Sequence, residues 1–196
     1  MNNCAYQSPI ELCSKHSLNL ECCILKSICG HNCGSTYDKE HKIFIVSDDI
    51  YLSFNNQKYR LYEYHYHIPA EHKIDGIIYP SEIHYVYLKE GFKYNKNIID
   101  ICGDNKIVDS ESSILAIGFG IENRCDKINL NKMKIYKPSS YYLYDGSLTT
   151  PNYGPVKWIV SKDTIRLNID QLISISKNAR ELQNTNNRII LFHDCS

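Results

Sequence analysis

Four of the chain's eight histidines fall within the stretch YEYHYHIPAEHKIDGIIYPSEIHYV, residues 62–86. His65 and His67 are separated by one residue in a run of alternating type. Alternate side chains of an extended strand share a face, so Tyr62, Tyr64 and Tyr66 are predicted on one side and Glu63, His65 and His67 on the other. The tyrosines read as core, and the two imidazoles stand side by side in a way that suits a metal. Taken alone, the pair is better described as a solvated strand face. A second run, SEIHYV, changes that reading: Glu82, His84 and Val86 share a face, and if the two strands are neighbours His84 supplies a third nitrogen. Three neutral imidazoles leave one position of a tetrahedral zinc open for water. Glu63 and Glu82, each two residues before a histidine on the same face, are placed to accept the other ring N–H and fix its tautomer.

The elements that must position these residues are mostly strands. HKIFIVSDDIYLSF and QKYRLYEYHYHI are predicted as neighbouring strands joined by a turn at Asn55 and Asn56, and SEIHYVYL, SSILAIGFGI and VKWIVS as further strands rich in Ile, Val and Tyr. One helix is predicted in NIDQLISISKNAREL. Asn168 can cap it, Gln171 takes its third position, and Leu172, Ile175, Ala179 and Leu182 share a face. The fold class expected is therefore α+β and dominated by β. At 196 residues with 43% hydrophobic content, a single domain over 1–196 is expected.

Charge excludes several partner classes. Lys plus Arg equals Asp plus Glu at 22 each, so no net field draws the chain to nucleic acid, to anionic lipid or to sulfated sugar. No apolar run is long enough to span a membrane, and MNNCAYQSPIEL lacks the regions of a signal peptide. A soluble protein, cytoplasmic or virion-associated, is expected. Of the nine cysteines, Cys4, Cys13, Cys22, Cys23, Cys29 and Cys33 crowd the start of the chain, with Cys102, Cys125 and Cys195 scattered. The odd count leaves the redox compartment open. Cys23, Cys29, His31 and Cys33 can be drawn as a zinc knuckle or as buried thiols and a local disulfide; their spacing matches no strong zinc pattern.

With these motifs in view, the sequence resembles the α-class carbonic anhydrases, above all the compact bacterial pattern in which the paired histidines run into a Pro-x-Glu-His turn. The matching pieces are QSPIEL (residues 7–12), YRLYEYHYHIPAEH (59–72), DGIIYPSEIHYV (75–86), LAIGF (115–119), YLYDGSLTTP (142–151), VKWIV (156–160) and NNR (186–188). They occur in family order over nearly the whole chain. The resemblance implies a twisted, largely antiparallel sheet with a conical cleft, Zn2+ as cofactor, and reversible hydration of carbon dioxide to bicarbonate and a proton. Sulfonamides and anions would inhibit. It places His65, His67 and His84 at the zinc positions. Thr149 falls at a gatekeeper hydroxyl that donates its proton to a buried glutamate matching Glu71, and Thr150 at a neighbour that contacts bicarbonate and inhibitors. Val86, Ile117, Leu148, Val156 and Trp158 would form the apolar substrate wall. His72, Tyr144 and Ser8 fit a buried polar network and read as core. His41 is the histidine nearest a proton shuttle at the cleft mouth, although an exposed residue in the charged run Asp38, Lys39, Glu40 describes it as well.

Departures from the family pattern accompany these matches. The chain begins almost at Gln7-Ser8-Pro9, and the stretch from Ala116 to Tyr142 is shorter than the family's, so an N-terminal cover, one helix and part of the rim are expected to be missing. Glu63 stands where the family usually has Gln; a carboxylate there would make the zinc a weaker acid. The loop after Pro151 lacks the cysteine of a disulfide found in secreted relatives. A second function class is a binding or attachment protein on the same fold, directed at a glycan or host surface, with weak or no catalysis. The abundance of Asn, Ile, Lys and Tyr suggests an A+T-rich genome such as that of a large DNA virus, a source that favours this class. Retention of all three histidines and of the Thr149–Glu71 pair favours the enzyme.

Overall fold

The computed structural model describes residues 6–20, 25–26, 32–92, 113–151 and 153–194. Cys4, Cys22, Cys23, Cys29, Cys102, Cys195 and His31 lie outside them, so three members of the drawn knuckle are not described. Its fourth, Cys33, is a buried free thiol directed at the Met133 carbonyl.

The strands run β1 (Glu11–Leu12), β2 (Leu18–Asn19), β3 (Leu25–Lys26), β4 (Asn32–Asp38), β5 (Ile43–Val46), β6 (Tyr51–Phe54), β7 (Gln57–Ile68) and β8 (Lys73–Ile74). They continue with β9 (Ser81–Lys89), β10 (Ile114–Asn123), β11 (Lys132–Lys134), β12 (Tyr141–Ser147), β13 (Pro155–Ser161), β14 (Ile165–Leu167), β15 (Lys177–Asn178) and β16 (Ile190–His193). Fourteen of them form one mixed sheet whose main path is β11-β4-β5-β7-β9-β10-β13-β12-β16-β2. The β6–β7 hairpin turns at Asn55 and Asn56, both at positive φ as a two-residue turn matching the strand twist requires.

β7 and β9 form the sheet's antiparallel centre, with His65 opposite His84 and His67 opposite Glu82. Apolar clusters cover both faces. On one face Tyr59, Leu61, Tyr64, Tyr66, Ile83, Tyr85, Leu115 and Phe119 form the larger core; on the other Val86, Ala116, Val156 and Trp158 pack with Ile10, Leu12 and Tyr144. Each fully buried apolar side chain of this kind contributes about 1.5–3 kcal/mol. Aromatic rings stack within the larger core: those of Phe44 and Tyr64 lie 5.0 Å apart, and the Tyr64 hydroxyl donates to the Leu130 carbonyl at 2.6 Å.

Three expectations need correcting. The ladder register slips between Leu61 and Glu63, so a bulge falls at Tyr62, which is only half-buried and does not join Tyr64 and Tyr66 in the core. The bulge reverses the strand's parity: Tyr59 and Leu61 face the core before it, Tyr64 and Tyr66 after it, and Glu63, His65 and His67 are thereby turned to the other face. HKIFIVSDDIYLSF is two strands, β5 and β6, both against β7. The helix is the four-residue α1 (Ile169–Leu172), which Asn168 caps as expected, its side chain accepting from the Gln171 N–H at 3.1 Å. Beyond it the chain becomes β15 and pairs with β7, leaving Leu182 at 40% exposure. Tertiary pairing overrides the helical periodicity there.

Candidate active site

His65, His67 and His84 come together on one face of the β7–β9 pair, each 6% exposed or less, with one ligand atom apiece within 4.8 Å of the others. Each ring has one nitrogen engaged from behind. Both Glu63 oxygens accept from His65 Nδ1 at 3.0 Å, the Asn178 carbonyl accepts from His67 Nδ1 at 3.3 Å, and Glu82 Oε1 accepts from His84 Nε2 at 2.9 Å. The remaining nitrogens are His65 Nε2, His67 Nε2 and His84 Nδ1. His67 Nε2 is buried with no hydrogen-bond partner. Burial also pushes the His65 and His67 rings well below the ordinary histidine range, which keeps them neutral and their lone pairs available. On His84 burial acts the same way, but Glu82 beside it prevails and raises the ring. A buried three-nitrogen donor set with its outer nitrogens fixed fits a divalent cation such as zinc. A second group, His72, Glu82 and His84, is also close enough to hold a metal, but its atoms are engaged with one another and support the first.

Glu82 anchors that support. Its Oε2 accepts from the Glu71 and His72 backbone N–H groups at 2.8 Å each, and its Oε1 from His72 Nδ1 at 2.7 Å as well as from His84. Burial alone would raise this carboxyl; His72 and His84 hold it well below the usual range. The chain of contacts continues from His72 Nε2 to the Tyr144 hydroxyl at 2.7 Å and on to Ser8 Oγ at 3.0 Å, so these three core residues extend the network behind His84. Gly118 stands opposite His84, and a Cβ there would lie 2.7 Å from Glu82 Oε1.

Thr149 follows β12, is 9% exposed, and its hydroxyl donates to Glu71. Glu71 Oε1 also accepts from the Arg180 backbone N–H at 2.8 Å, while Oε2 has no hydrogen-bond partner and lies 3.9 Å from His84 Nδ1. Thr150 is half-buried, in the turn closed by Tyr153 N–H to its carbonyl. Val86, Val156 and Trp158 are buried in one cluster with Leu148 packed against it, and the Trp158 ring centroid is 4.8 Å from that of His84. Ile117 does not belong with them. It pairs with Tyr85 and points into the larger core, while Ala116, opposite Val86, occupies the site's face. Strand alternation decides this: with His84 and Val86 on the site face, their partners Gly118 and Ala116 must be there too.

His41 lies on the surface between β4 and β5, its Nδ1 2.8 Å from Asp38 Oδ2. Reasoning on the sequence missed Ala116, Gly118, the Asn178 carbonyl and the Arg180 N–H. Backbone groups carry no side-chain signature; Ala116 and Gly118 were readable from the alternation that placed His84.

The eukaryotic-type carbonic anhydrase family model matches residues 105–193. The chain is 28% identical over 159 residues to the carbonic anhydrase Nec1 of Nesocodon mauritianus, covering 72% of this chain and 58% of that protein. It is 29% identical over 149 residues to a carbonic anhydrase of Nostoc sp., covering 72% and 56%. The chain thus spans under two thirds of the length of these relatives. In fold it is similar to the α-carbonic anhydrase of Thermovibrio ammonificans solved with sulfanilamide (TM-score 0.73, 20% identity, 95% of this chain and 87% of that one). It is likewise similar to dioscorin solved with ascorbate (TM-score 0.72, 17% identity, 95% and 85%). Motif order, fold and sequence likeness agree in their direction: the chain is similar to the α-class carbonic anhydrases.

Proposed function

We propose that the protein is a zinc-dependent carbonic anhydrase that interconverts carbon dioxide and bicarbonate, and that His65, His67 and His84 hold the metal. The observation that carries this is the donor set: three buried imidazoles, each with one nitrogen engaged, that bring one ligand atom apiece within 4.8 Å of one another. Zinc bound there supplies a Lewis acid that makes water nucleophilic at neutral pH. The chain's own residues do the rest. Glu71 takes the Thr149 proton in a hydrogen bond, so the Thr149 oxygen is left as an acceptor and admits only an attacking group that presents a hydrogen to it. That selection orients the nucleophile. Val86, Ala116, Leu148, Val156 and Trp158 give an apolar wall for an uncharged substrate, and Thr150 at the loop edge contacts the anionic product. Sulfonamides and small anions are expected inhibitors at this position.

Fold alone does not specify a chemistry, so the reading rests on the residues of the site. The equal totals of acidic and basic residues supply no net attraction for a polyanion such as a sulfated glycan.

Metal analysis and stopped-flow carbon dioxide hydration test the reading. One zinc per chain and sulfonamide-sensitive hydration are expected. His84→Ala should lose the zinc, and Thr149→Ala should keep it while turnover falls by roughly a hundredfold. Zinc-loaded protein without hydration above buffer, but with saturable binding to a sulfated glycan, overturns the enzyme.

A further inference from the structure

Thr149 and Glu71 lie far apart in sequence, so the hydrogen bond between them has to be set by contacts outside either residue. Glu71 is fixed from one side by the Arg180 backbone N–H, which donates to its Oε1 at 2.8 Å. The loop that carries Thr149 is closed on itself: the Leu148 N–H donates to the Gly154 carbonyl at 2.8 Å, and the Tyr153 N–H to the Thr150 carbonyl at 3.1 Å. Such a loop moves as one piece, and its outward contacts decide where Thr149 sits. The Arg180 side chain makes contact on both sides of that residue. Its guanidinium carbon lies 4.1 Å from the centre of the Tyr153 ring, a cation–π distance, and both residues are half-buried. Its Nη1 donates to the Ser8 carbonyl at 2.8 Å. Ser8 in turn exchanges a reciprocal pair of hydrogen bonds with Ser147, two residues before Thr149, each at 3.1 Å. Tyr153 holds a φ of 35°, in the left-handed region that side chains with a Cβ disfavour. Glycine or asparagine would sit there more easily; the ring is what tyrosine adds.

We propose that Arg180 is a positioning residue for the Thr149–Glu71 pair: its backbone holds Glu71 while its side chain, stacked on Tyr153 and bonded to Ser8, clamps the loop of Thr149 so that the threonine hydroxyl meets the carboxylate. One residue thus sets both ends of a hydrogen bond that it does not itself make. The effect on turnover rests on the carbonic anhydrase reading above; the clamp does not.

A double-mutant cycle tests it. Protection of the residue 148 and 153 amides against hydrogen exchange, zinc content, and the kcat and KM of carbon dioxide hydration are measured for wild type, Tyr153→Phe, Tyr153→Leu, Arg180→Met and the Tyr153→Leu/Arg180→Met chain. Tyr153→Phe keeps the ring and should match wild type. Tyr153→Leu and Arg180→Met should each reduce protection by about five- to tenfold and lower kcat by about tenfold, with zinc content unchanged. Added to Arg180→Met, Tyr153→Leu should cost little more. In a Thr149→Ala chain, which has no hydroxyl to place, Tyr153→Leu should lower kcat no further. Protection in Tyr153→Leu equal to that in Tyr153→Phe, losses that multiply in the double variant, reduced protection with kcat unchanged, or a further loss of kcat in the Thr149→Ala chain each overturn the proposal. Should wild type not hydrate carbon dioxide, the enzyme reading fails, and protection still decides the clamp: coupled losses uphold it and multiplied ones overturn it. If Arg180→Met does not fold, Tyr153→Leu decides against Tyr153→Phe: reduced protection that costs kcat only where Thr149 is present upholds the clamp, and any other result overturns it.

Discussion

Adding one methyl group at Gly118 should disable the support of His84 without touching any histidine. The Cβ of Gly118→Ala would lie 2.7 Å from Glu82 Oε1 and 3.6 Å from His84 Cδ2. Such an overlap is ordinarily relieved by swinging the end of a flexible side chain. Glu82 cannot swing freely, because four hydrogen bonds hold its carboxylate and two of them end on the oxygen in question. Hydrogen bonds to a charged group contribute about 1.5–3 kcal/mol each. Losing the two on Oε1, with part recovered by relaxation, should destabilise the chain by about 3 kcal/mol. The orientation of His84 goes with them, so zinc affinity should fall by roughly ten- to a hundredfold. Denaturant unfolding with and without zinc, together with chelator competition, reads both numbers. Gly154→Ala is the control: a Cβ there meets nothing within 4 Å, and a change within about 0.5 kcal/mol is expected. Shortening the carboxylate arm with Glu82→Asp should recover part of the loss in the Gly118→Ala chain. If Gly118→Ala matches the Gly154→Ala control in stability and zinc affinity, then Glu82 is not held as described and the argument fails.

Acid should act on Glu82 in a defined direction. Its folded-state carboxyl is held well below the ordinary 4.5, so the unfolded chain takes up that proton first; the stability it gives is full above 4.5 and is lost as pH falls through the folded value. The stability difference between wild type and Glu82→Gln should therefore narrow below pH 4.5 by up to about 1.4 kcal/mol per pH unit, and a constant gap down to the acid transition would contradict this. For His41, the surface position beside Asp38 gives a direct comparison: His41→Ala should turn over more slowly in dilute buffer and be rescued by imidazole if it exports protons. A variant matching wild type in dilute buffer leaves the transfer to water and buffer.

Much of the histidine site was legible because its cause is local. The period of a strand puts Glu63, His65 and His67 on one face and Glu82, His84 and Val86 on another, and pairing β7 with β9 joins the two sets. The same rule, not applied across to β10, let Ile117 be taken from a motif when its partner Tyr85 already faced the core. Tyr62 was misplaced because a bulge adds a residue without any change of residue type that marks it. The segment 168–182 has apolar spacing suited to a helix, and what stops the helix is the exposed edge of β7, a partner more than a hundred residues earlier.

The same edge of β7 sets an order of events during synthesis. All three histidines are made by residue 84, yet His67 is oriented by the carbonyl of Asn178 and Glu71 by the amide of Arg180. A nascent chain paused anywhere before residue 178 carries the ligands without those two braces. For the metal site proposed above, tight capture is then deferred until residues 178–180 have left the ribosome and docked, which couples metal loading to that docking and not to the appearance of the histidines.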